Sequence, residues 1–340
     1  MTGGAGYIGS HTVVALAEAG FEPVVVDNLS NSEARALDGI AAIVGRRVAF
    51  HQVDCTDEVA LAAVFAAEGD IAGVVHFAAY KAVGESVAEP LKYYRNNVGS
   101  LLALLSAMER ADCRALVFSS SCTVYGVPDH LPVDETAPTR RANSPYGNTK
   151  QVCEDILAEL AASGRSAVRA VALRYFNPIG AHPSARIGEL PLGVPNNLVP
   201  FVTQTAAGLR ERLTVYGTDY DTPDGSCIRD YIHVVDLAAA HVVALRRLLG
   251  EQAPPERAAL DVFNLGTGRG HSVLEVVREF ERVSGQTLPV VLGPRRAGDV
   301  PAIFGDVARA ADVLGWRAER TLADALADAW RWERGMRNEE

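Results

Sequence analysis

A tyrosine and a lysine four residues apart stand near the start of an expected helix, in the stretch S-P-Y-G-N-T-K from Ser144 to Lys150. Side chains at this separation project from one face of a helix, so Tyr146 and Lys150 are expected to lie side by side. A neighbouring positive charge stabilises a phenolate and lowers the pKa of the phenol. The pair is therefore a candidate general base for a substrate hydroxyl.

A cluster of serines precedes this helix in the motif S-S-S-C-T-V-Y-G, at the end of a strand expected at 114–119. Hydroxyl groups at the carboxyl end of a parallel strand are expected to point into a ligand crevice. Ser121 could hydrogen-bond the same substrate oxygen as Tyr146. Since no G-x-S-x-G motif surrounds it, Ser121 is not expected to be a nucleophile.

The chain opens with a glycine-rich motif, M-T-G-G-A-G-Y-I-G-S-H, in which Gly3, Gly6 and Gly9 precede an amphipathic run. Glycines in this position let the backbone approach a pyrophosphate, which rests on the N-terminus of the following helix. A strand expected at 21–27 ends in Asp27, where a carboxylate would bind the adenosine ribose. Because that carboxylate would repel a 2′-phosphate, NAD is favoured over NADP.

The strand that normally precedes such a glycine motif is expected to be largely missing. Only Met1 and Thr2 come before Gly3, so the strand either lies upstream of this sequence or has lost most of its length. It would be central in a doubly wound sheet, and its loss should weaken folding and cofactor binding.

The elements that must position these residues alternate between strand and helix. Short apolar runs at 48–54, 73–79 and 167–178 are separated by helical runs, a pattern that predicts a parallel sheet with helices on both faces. Asp54 ends one strand and either meets the adenine amino group or acts as a turn or helix-capping acid. Asn96 and Asn97 interrupt a helix expected at 90–112, which indicates either a ligand-facing role or a bend.

The second half of the chain has a different pattern. Residues 179–200 are rich in Gly and Pro and are expected to form irregular binding loops. Short elements follow, with helices expected to begin with S-V-L-E-V-V-R-E-F and to span 321–333. A surface loop is expected at 252–257.

Composition narrows the classes of partner. The formal net charge is -10 and the isoelectric point is near 5.4, which argues against a nucleic-acid partner or an anionic membrane surface. The five cysteines are scattered without a C-x-x-C pair, so reduced thiols in a cytoplasmic protein are expected rather than disulfides or a metal site. No apolar run reaches membrane-spanning length.

Several motifs together resemble the extended short-chain dehydrogenase/reductase superfamily and, within it, the NAD-dependent epimerase/dehydratase family. They are, in order, T-G-G-A-G-Y-I-G-S-H, D-N-L-S-N-S, H-F-A-A-Y-K-A-V-G-E-S, S-S-S-C-T-V-Y-G, S-P-Y-G-N-T-K, R-Y-F-N-P-I-G-A-H-P-S, P-N-N-L, R-D-Y-I-H-V-V-D-L and P-R-R-A-G-D. The resemblance implies an α/β fold with a Rossmann-type doubly wound parallel sheet and a smaller mixed α/β C-terminal substrate domain. It places the NAD-binding domain at 1–176, joined by segments near 228–250 and 260–267, and a UDP-sugar-binding domain at 177–340.

The resemblance also implies a role for individual residues. The catalytic residues it implies are Tyr146, Lys150 and Ser121. These three also belong to the NAD site, together with Gly3, Gly6, Tyr7, Ile8, Gly9, Asp27, Asn28, Asp54, Cys55, Phe77, Ala78, Lys81, Asn96 and Phe176. The UDP-sugar site it implies comprises Ser121, Tyr146, Asn177, Asn197, Tyr216, Arg229, Arg296, Asp299 and Ile303.

The implied reaction interconverts UDP-galactose and UDP-glucose through a transient 4-keto sugar, with NAD retained on the enzyme. In the family that the chain resembles, the position of Ile303 lines the sugar pocket, and a bulky residue there excludes N-acetylated sugars. Because Ile is intermediate in size, UDP-glucose and UDP-galactose are the expected main substrates, with UDP-GlcNAc and UDP-GalNAc left open. The helices at 90–112 and 144–164 resemble the pair that forms a dimer contact in relatives, so a homodimer is expected.

Two other functions fit parts of the pattern. A nucleotide-sugar 4,6-dehydratase shares the fold, NAD and the Tyr-x-x-x-Lys motif, but it needs an acid pair where Cys122 and Thr123 stand. A catalytically silent NAD-binding regulator would tend to lose Tyr146 and Lys150, which this chain keeps.

Overall fold

The computed structural model describes residues 1–250, 260–296 and 299–337; the loop expected at 252–257 lies outside them. In chain order the helices are α1 (Tyr7–Glu18), α2 (Arg35–Val44), α3 (Glu58–Glu68), α4 (Val83–Ala88), α5 (Pro90–Tyr93), α6 (Gly99–Arg110), α7 (Pro145–Ser163), α8 (Leu198–Ala206), α9 (Val234–Leu249), α10 (Val273–Ser284) and α11 (Leu322–Arg337). The strands are β1 (Val24–Val26), β2 (Ala49–His51), β3 (Gly73–His76), β4 (Ala115–Ser121), β5 (Arg169–Tyr175), β6 (Asn177–Ile179), β7 (Leu213–Tyr216), β8 (Ile228–His233), β9 (Asp261–Leu265), β10 (Gly270–Ser272), β11 (Val290–Gly293) and β12 (Ala302–Ile303).

A parallel sheet organises the first part of the chain. Its strands pair in the order β2, β1, β3, β4, β5 and β9, with Thr2 bridging β1 and β3. Helices α1 and α9 pack on one face, and α3, α6 and α7 pack on the other. Every residue of β4 is buried, as expected for a strand covered on both sides. The predicted α/β fold class with a doubly wound parallel sheet is confirmed.

The central position of this sheet is held by two residues. The amide of Thr2 donates to the Val75 carbonyl at 3.1 Å, and its carbonyl accepts from the Phe77 amide at 2.9 Å. On the other side, the Val26 amide donates to the Met1 carbonyl at 2.8 Å. The strand that was expected to be largely missing is reduced to a bridge at Thr2, yet this segment provides ladder hydrogen bonds to both neighbouring strands.

The helix expected at 90–112 is broken into three pieces. A π-helical turn at Tyr94–Val98 separates α5 from α6, and it contains both asparagines. Asn97 is buried; its Oδ1 accepts from the Tyr80 amide at 2.9 Å, and its Nδ2 donates to the Thr149 hydroxyl at 3.0 Å. Such a turn is typical where side-chain hydrogen bonds compete with the helical ladder. The interruption of the helix therefore coincides with the side-chain hydrogen bonds of Asn97.

Helix α7 begins as the sequence predicts. The Ser144 hydroxyl accepts from the Gly147 amide at 3.2 Å and so caps the helix, and Pro145 occupies the first turn. Tyr146 is therefore held in the first turn of the helix, and Lys150 follows one turn later.

The second part of the chain is built from shorter strands. Strand β8 pairs with β6, β10 and β12, while β7 pairs with β11 in a separate two-stranded sheet. Helices α8, α10 and α11 cover this region around a core that includes Val202, Phe280 and Leu326. Strand β9 then returns to the first sheet beside β5. Within residues 1–250, 260–296 and 299–337, no helix combines the length and apolar character needed to cross a membrane.

Candidate active site

A cavity of about 1480 Å³ opens where β1, β3, β4 and β5 end. It brings together almost the whole predicted site. The residues that line it include Gly3, Gly6, Tyr7, Ile8, Gly9, Asp27, Asn28, Asp54, Cys55, Phe77, Ala78, Lys81, Asn96, Ser121, Tyr146, Lys150, Phe176, Asn177, Asn197, Arg229, Arg296, Asp299 and Ile303. The carboxyl ends of parallel strands are where such a crevice is expected.

Tyr216 is the predicted site residue that does not line this cavity. It ends β7 opposite Gly293 of β11, and 48% of its surface is exposed. Since side chains alternate between the two faces of a strand, the last position of β7 points away from the buried Val215. Tyr216 thus lies outside the lining of this cavity, and its assignment to the UDP-sugar site stays a prediction.

The glycine-rich loop forms a tight cradle at the start of α1. Gly3 has a φ of 69°, and a Cβ there would lie 2.8 Å from the Ala78 amide nitrogen. A Cβ on Gly9 would lie 2.2 Å from the Gly3 carbonyl oxygen. The loop is thus as close-packed as a pyrophosphate site requires, and the amides at the N-terminus of α1 stand at the cavity. This geometry fits a dinucleotide.

Asp27 follows β1 and anchors the turn around the cavity. One carboxylate oxygen accepts from the Ala5 amide at 3.0 Å, and the other accepts from the Leu29 amide and the Ser32 hydroxyl at 2.9 Å each. The carboxylate is therefore fixed at the cavity edge with acceptor capacity left for ribose hydroxyls.

The Asp54 carboxylate accepts hydrogen bonds within the turn that follows β2, next to the loop that contains Asp27. Its carboxylate accepts from Asn28 Nδ2 at 3.1 Å and from the Thr56 amide at 2.9 Å, while Asp57 caps α3. Burial acts to raise the pKa of Asp54, but the Thr56 and Asn28 hydrogen bonds lower it below its usual value. Burial raises the pKa of the neighbouring Cys55 to about 12, so its thiol stays protonated.

Tyr146 faces the cavity beside Ser121. Burial raises the pKa of Tyr146 to about 12, and a hydrogen bond with the Ser121 side chain acts in the opposite direction. The Lys150 ammonium instead donates to the Ser119 carbonyl at 2.6 Å, and burial lowers the pKa of Lys150 to about 8. In this structure burial and Ser121 set the direction of the Tyr146 pKa, and the Lys150 ammonium is bound by the backbone of β4. The lowering of the Tyr146 pKa by Lys150 stays a prediction.

The serines of β4 do not all point into the crevice. Ser119 and Ser121 line the cavity, but the Ser120 hydroxyl donates to Glu154 on α7. The strand continues to Ser121, two residues beyond its predicted end, so the three side chains alternate between the two faces of the sheet. The expectation that all three hydroxyls face the ligand is therefore wrong for Ser120.

Two arginines form a positively charged edge on the other side of the cavity. The Arg229 guanidinium donates to the Ile228 and Val300 carbonyls at 2.8 Å each. Asp299 lies between the arginines, 3.8 Å from Arg229 and 3.0 Å from Arg296. Guanidinium groups held in this way match the geometry of phosphate oxygens.

The wall beside the arginines is apolar. Ile303 is buried and pairs in register with Arg229 through β12 and β8. It packs in one cluster with Phe176 and Cys122. Burial raises the pKa of Cys122 to about 12, so this thiol stays protonated at neutral pH.

Thr123 is a cavity residue to which sequence reasoning assigned no role. It lines the cavity, and its Oγ1 is a buried atom without a hydrogen-bond partner among the described residues. A buried hydroxyl without a partner fits a site that binds a polar ligand. The sequence signal that could have indicated Thr123 is its place in the motif S-S-S-C-T-V-Y-G, just after the strand end that carries Ser121.

Among residues 1–250, 260–296 and 299–337, no group of three or more His, Cys, Asp or Glu is placed to hold a metal ion.

The parallel sheet, the glycine cradle, the ribose-facing carboxylate and the Tyr146 helix define an NAD-binding enzyme of the short-chain dehydrogenase/reductase type. Comparison with known proteins identifies the family within this class. Residues 1–266 match the model of the NAD dependent epimerase/dehydratase family. A UDP-glucose 4-epimerase from Bacillus subtilis is 52% identical over 333 residues, which cover 98% of this chain and 96% of that protein.

Further proteins that are similar to this chain are also UDP-glucose 4-epimerases. A UDP-glucose 4-epimerase from Yersinia pestis is 48% identical over 98% of this chain and 96% of its own length. The crystal structure of UDP-glucose 4-epimerase from Stenotrophomonas maltophila, with bound NAD and formylated UDP-arabinopyranose, has a TM-score of 0.94 and 48% identity, covering 100% of this chain and 98% of that one. The Bifidobacterium longum enzyme in complex with NAD and UDP has a TM-score of 0.93 and 43% identity, over 100% and 98%.

This chain belongs to the NAD dependent epimerase/dehydratase family. The predicted family and its NAD cofactor are confirmed.

Proposed function

We propose that this chain acts as a UDP-glucose 4-epimerase, an isomerase that interconverts UDP-galactose and UDP-glucose through a transient 4-keto sugar with NAD retained. The observation that carries the proposal is one cavity holding the Gly3 to Gly9 cradle, the Tyr146 and Ser121 hydroxyls, and the arginine pair Arg229 and Arg296. Relatives about 50% identical over nearly the full chain are UDP-glucose 4-epimerases, in agreement with the sequence prediction.

Each residue of the site has a separate role in proton and hydride transfer. Tyr146 takes the proton of the sugar 4-hydroxyl, and Ser121 holds that hydroxyl in place. NAD, when bound, would supply the acceptor for the hydride of the sugar C4 and the donor for its return, and its positive charge would favour a nearby phenolate. The Lys150 ammonium, fixed on the Ser119 carbonyl, adds positive potential beneath the base. Tyr146 finally returns the proton to the new 4-hydroxyl.

The sugar has to turn its other face to the hydride donor between the two steps. Arg229 and Arg296 hold the diphosphate, so that the sugar can turn while it remains attached through UDP. Asn177 and Asn197 line the same part of the cavity. Net redox change is zero, and the dinucleotide therefore has to stay bound throughout turnover.

Ile303 limits the size of the sugar. Its side chain is buried in one cluster with Phe176 and lines the cavity, which supports a role for this wall in limiting the size of the sugar substituent. UDP-glucose and UDP-galactose are the main substrates in this proposal. A comparison of kcat/KM for the UDP-glucose and UDP-GlcNAc pairs tests this preference, and a rate on UDP-GlcNAc equal to that on UDP-glucose would contradict it.

The domain division and the location in the cell follow from the same proposal. Residues 1–176, with 228–250 and 260–267, form the NAD-binding domain, and 177–340 supply the UDP-sugar-binding domain. The return of β9 to the first sheet supports the joining segments. All five cysteines are buried and free, which supports a location in the cytoplasm. The proposed partners include neither nucleic acid nor a membrane.

A homodimer is the proposed assembly. Leu102 on α6 is 49% exposed, and it lines a shallow surface pocket with Ile156 and Leu160 of α7. The two helices thus present an apolar face that a second copy would cover. Light scattering after size exclusion should give twice the chain mass, and Leu102→Glu should shift the protein towards monomer. A wild-type monomer at micromolar concentration would exclude the dimer.

The test of the activity is conversion of UDP-galactose to UDP-glucose by the purified protein with its bound NAD. Tyr146→Phe should lower kcat about 10³-fold, with KM changed little, because the base is lost while the binding groups remain. Tyr94→Phe is the matched control, since Tyr94 lies outside the cavity and contacts Asn148. Full activity of Tyr146→Phe would exclude the base assignment. A 4-keto-6-deoxy product would indicate a dehydratase, and no turnover would indicate a regulator.

A further inference from the structure

Glu189 lies in the cavity between the two groups of site residues and has no part in the steps above. Its Oε1 accepts a hydrogen bond from Asn197 Nδ2 at 2.6 Å and contacts Lys81 Nζ at 3.3 Å. Lys81 belongs to the NAD-site residues, and Asn197 belongs to the UDP-sugar-site residues. One carboxylate oxygen therefore joins a residue from each side of the cavity.

The backbone around Glu189 is held firmly. The Trp332 indole Nε1 on α11 donates to the Glu189 carbonyl at 3.0 Å. Gly188 packs so closely on the same indole that a Cβ would lie 2.5 Å from its ring, and Gly188 also forms an antiparallel bridge with Ala181. Only 12% of the Glu189 side chain is exposed. Its carboxylate is therefore a fixed point rather than a mobile surface charge.

The Asn197 side chain does not cap the helix that follows it, although asparagine is a common helix-capping residue. It is the N-cap residue of α8, but its side chain makes no capping hydrogen bond. Because an ionised carboxylate can only accept hydrogen bonds, the amide nitrogen of Asn197 has to face Glu189. The carbonyl oxygen Oδ1 is then directed elsewhere and is free to accept from a hydroxyl or N–H group of a nucleotide.

Lys81 is held by the same oxygen. Its side chain is 46% exposed, and its Nζ lies 6.0 Å from the centre of the Tyr7 ring, near the glycine cradle. A lysine this exposed loses rotamer freedom only when a partner holds it. Glu189 therefore restricts Lys81 to the dinucleotide side of the cavity.

Building on the proposed function, we propose that Glu189 is a positioning residue that sets the Asn197 amide orientation, holds Lys81 and thereby links nucleotide-sugar binding to the dinucleotide site. Replacing the carboxylate by an amide removes both effects. A glutamine can present either an oxygen or an NH₂ group to Asn197, and it carries no charge to attract Lys81.

The test uses the NAD-loaded protein and UDP as the probe. Calorimetric titration should give a UDP Kd about tenfold higher for Glu189→Gln, the size of one charge-assisted hydrogen bond. In an Asn197→Ala background the same change should alter the Kd less than about twofold, because the partner is already gone. In turnover, Glu189→Gln should raise KM for UDP-galactose while kcat falls less than about threefold.

Bound NAD is the second readout. The amount of NAD retained per chain after gel filtration should fall in Glu189→Gln and Lys81→Ala, but it should not fall in Asn197→Ala. Glu189→Asp, which is one methylene shorter and can reach one partner at a time, should give intermediate values of UDP Kd. Glu211→Gln, a change at an exposed carboxylate outside the cavity, should match wild type in both readouts.

Three results would overturn the inference. The first is an unchanged UDP Kd in Glu189→Gln. The second is a tenfold loss of UDP affinity that persists in the Asn197→Ala background. The third is a loss of UDP affinity that is explained by a lowered melting temperature alone. UDP binding does not depend on turnover, so the outcomes can be separated. If UDP-galactose is converted but the effects at Glu189 and Asn197 are additive, this inference alone fails. If wild type neither binds UDP nor turns over, the proposed function fails as well.

Discussion

The dinucleotide side and the nucleotide-sugar side of the cavity are built in different ways. On the first, Asp27, Phe77 and Ser121 stand at the ends of neighbouring parallel strands, β1, β3 and β4, whose order is fixed by a continuous hydrogen-bond ladder. On the second, Asn197 and Arg296 come from loops and helix ends that short strands bring together. The comparison indicates that the first side is rigid by construction, while the second depends on individual side-chain contacts.

Loss of the buried ion pair behind the dinucleotide side should have the largest effect. Glu154 accepts from Arg174 at 2.5 Å and from Ser120, and this joins α7 to β4 and β5. Glu154→Gln should lower the free energy of unfolding by about 3–5 kcal/mol, since it leaves a buried guanidinium without its counter-ion. The exposed pair of Glu58 and Arg110 is the control, and Glu58→Gln should cost less than about 1 kcal/mol. Urea unfolding measures both, and equal costs would argue against a rigid dinucleotide side.

A methyl group in the cradle should be the next largest change. Gly9→Ala places a Cβ 2.2 Å from the Gly3 carbonyl oxygen, so the loop has to move away from its pyrophosphate-binding shape. We expect the NAD Kd to rise about a hundredfold, which corresponds to about 2.7 kcal/mol. Gly99→Ala is the matched control, because a Cβ at Gly99 would lie 3.9 Å from its nearest neighbour, Thr56, and Gly99 does not line the cavity. Titration of NAD-depleted protein measures both, and equal affinities would disprove the cradle.

Acid should weaken the dinucleotide side through its buried histidines. Burial lowers the pKa of His11 and His76 to about 3 and that of His241 to about 4. These rings stay neutral when folded but take up protons near pH 6.5 when unfolded, so stability is lost as pH falls below 6.5 towards the folded pKa values. The loss should reach about 2 kcal/mol per ring at pH 5.

Unfolding free energies at pH 7 and pH 5 test this acid effect. His241→Leu should remove about 2 kcal/mol of the difference, because the substituted side chain cannot titrate. His130→Gln, at an exposed position, should leave the difference unchanged. The histidine explanation would be wrong if His241→Leu kept the full dependence.

The smallest expected effect lies on the sugar side. Ile303→Ala should enlarge the apolar wall next to Phe176 and raise the kcat/KM ratio of UDP-GlcNAc to UDP-glucose about tenfold, as expected for a few methylene groups in a pocket. Bound NAD should not change. Val133→Ala trims the same apolar cluster outside the cavity, so it should leave the ratio unaltered. A shift of equal size in both variants would assign the effect to general loosening.

Much of the dinucleotide side could be predicted because its signals are local. The spacing of Gly3 and Gly9, the acid at the end of β1 and the cap at Ser144 each follow from a few neighbouring residues. The strand lengths are predicted less well: β1 covers three residues of the seven expected, whereas β4 continues two residues beyond its predicted end. Apolar side chains such as Phe21 pack against the core without joining the ladder, and periodicity cannot separate the two cases.

The sugar side was harder to predict because its contacts join distant parts of the chain. Arg229 and Asp299 were identified through motif resemblance, but their placement around one anion-binding edge depends on the pairing of β8 with β12. Tyr216 carried the same kind of signal and lies outside the cavity. Glu189 carried no signal, because its importance arises only from its contact with Lys81 and Asn197.

By itself, the amino-acid sequence determined the class of sheet, the dinucleotide cradle and the Tyr146 helix, since glycine geometry, helix caps and side-chain periodicity act within a few residues of one another. The tertiary structure decided the rest: that Thr2 bridges β1 and β3, that Lys150 binds a strand carbonyl, and that Glu189 joins both sides of the cavity. Lys150 and Ser119 are 31 residues apart in the sequence, and Lys81 and Glu189 are 108 residues apart. Only the packing of the folded chain brings such groups within hydrogen-bonding distance.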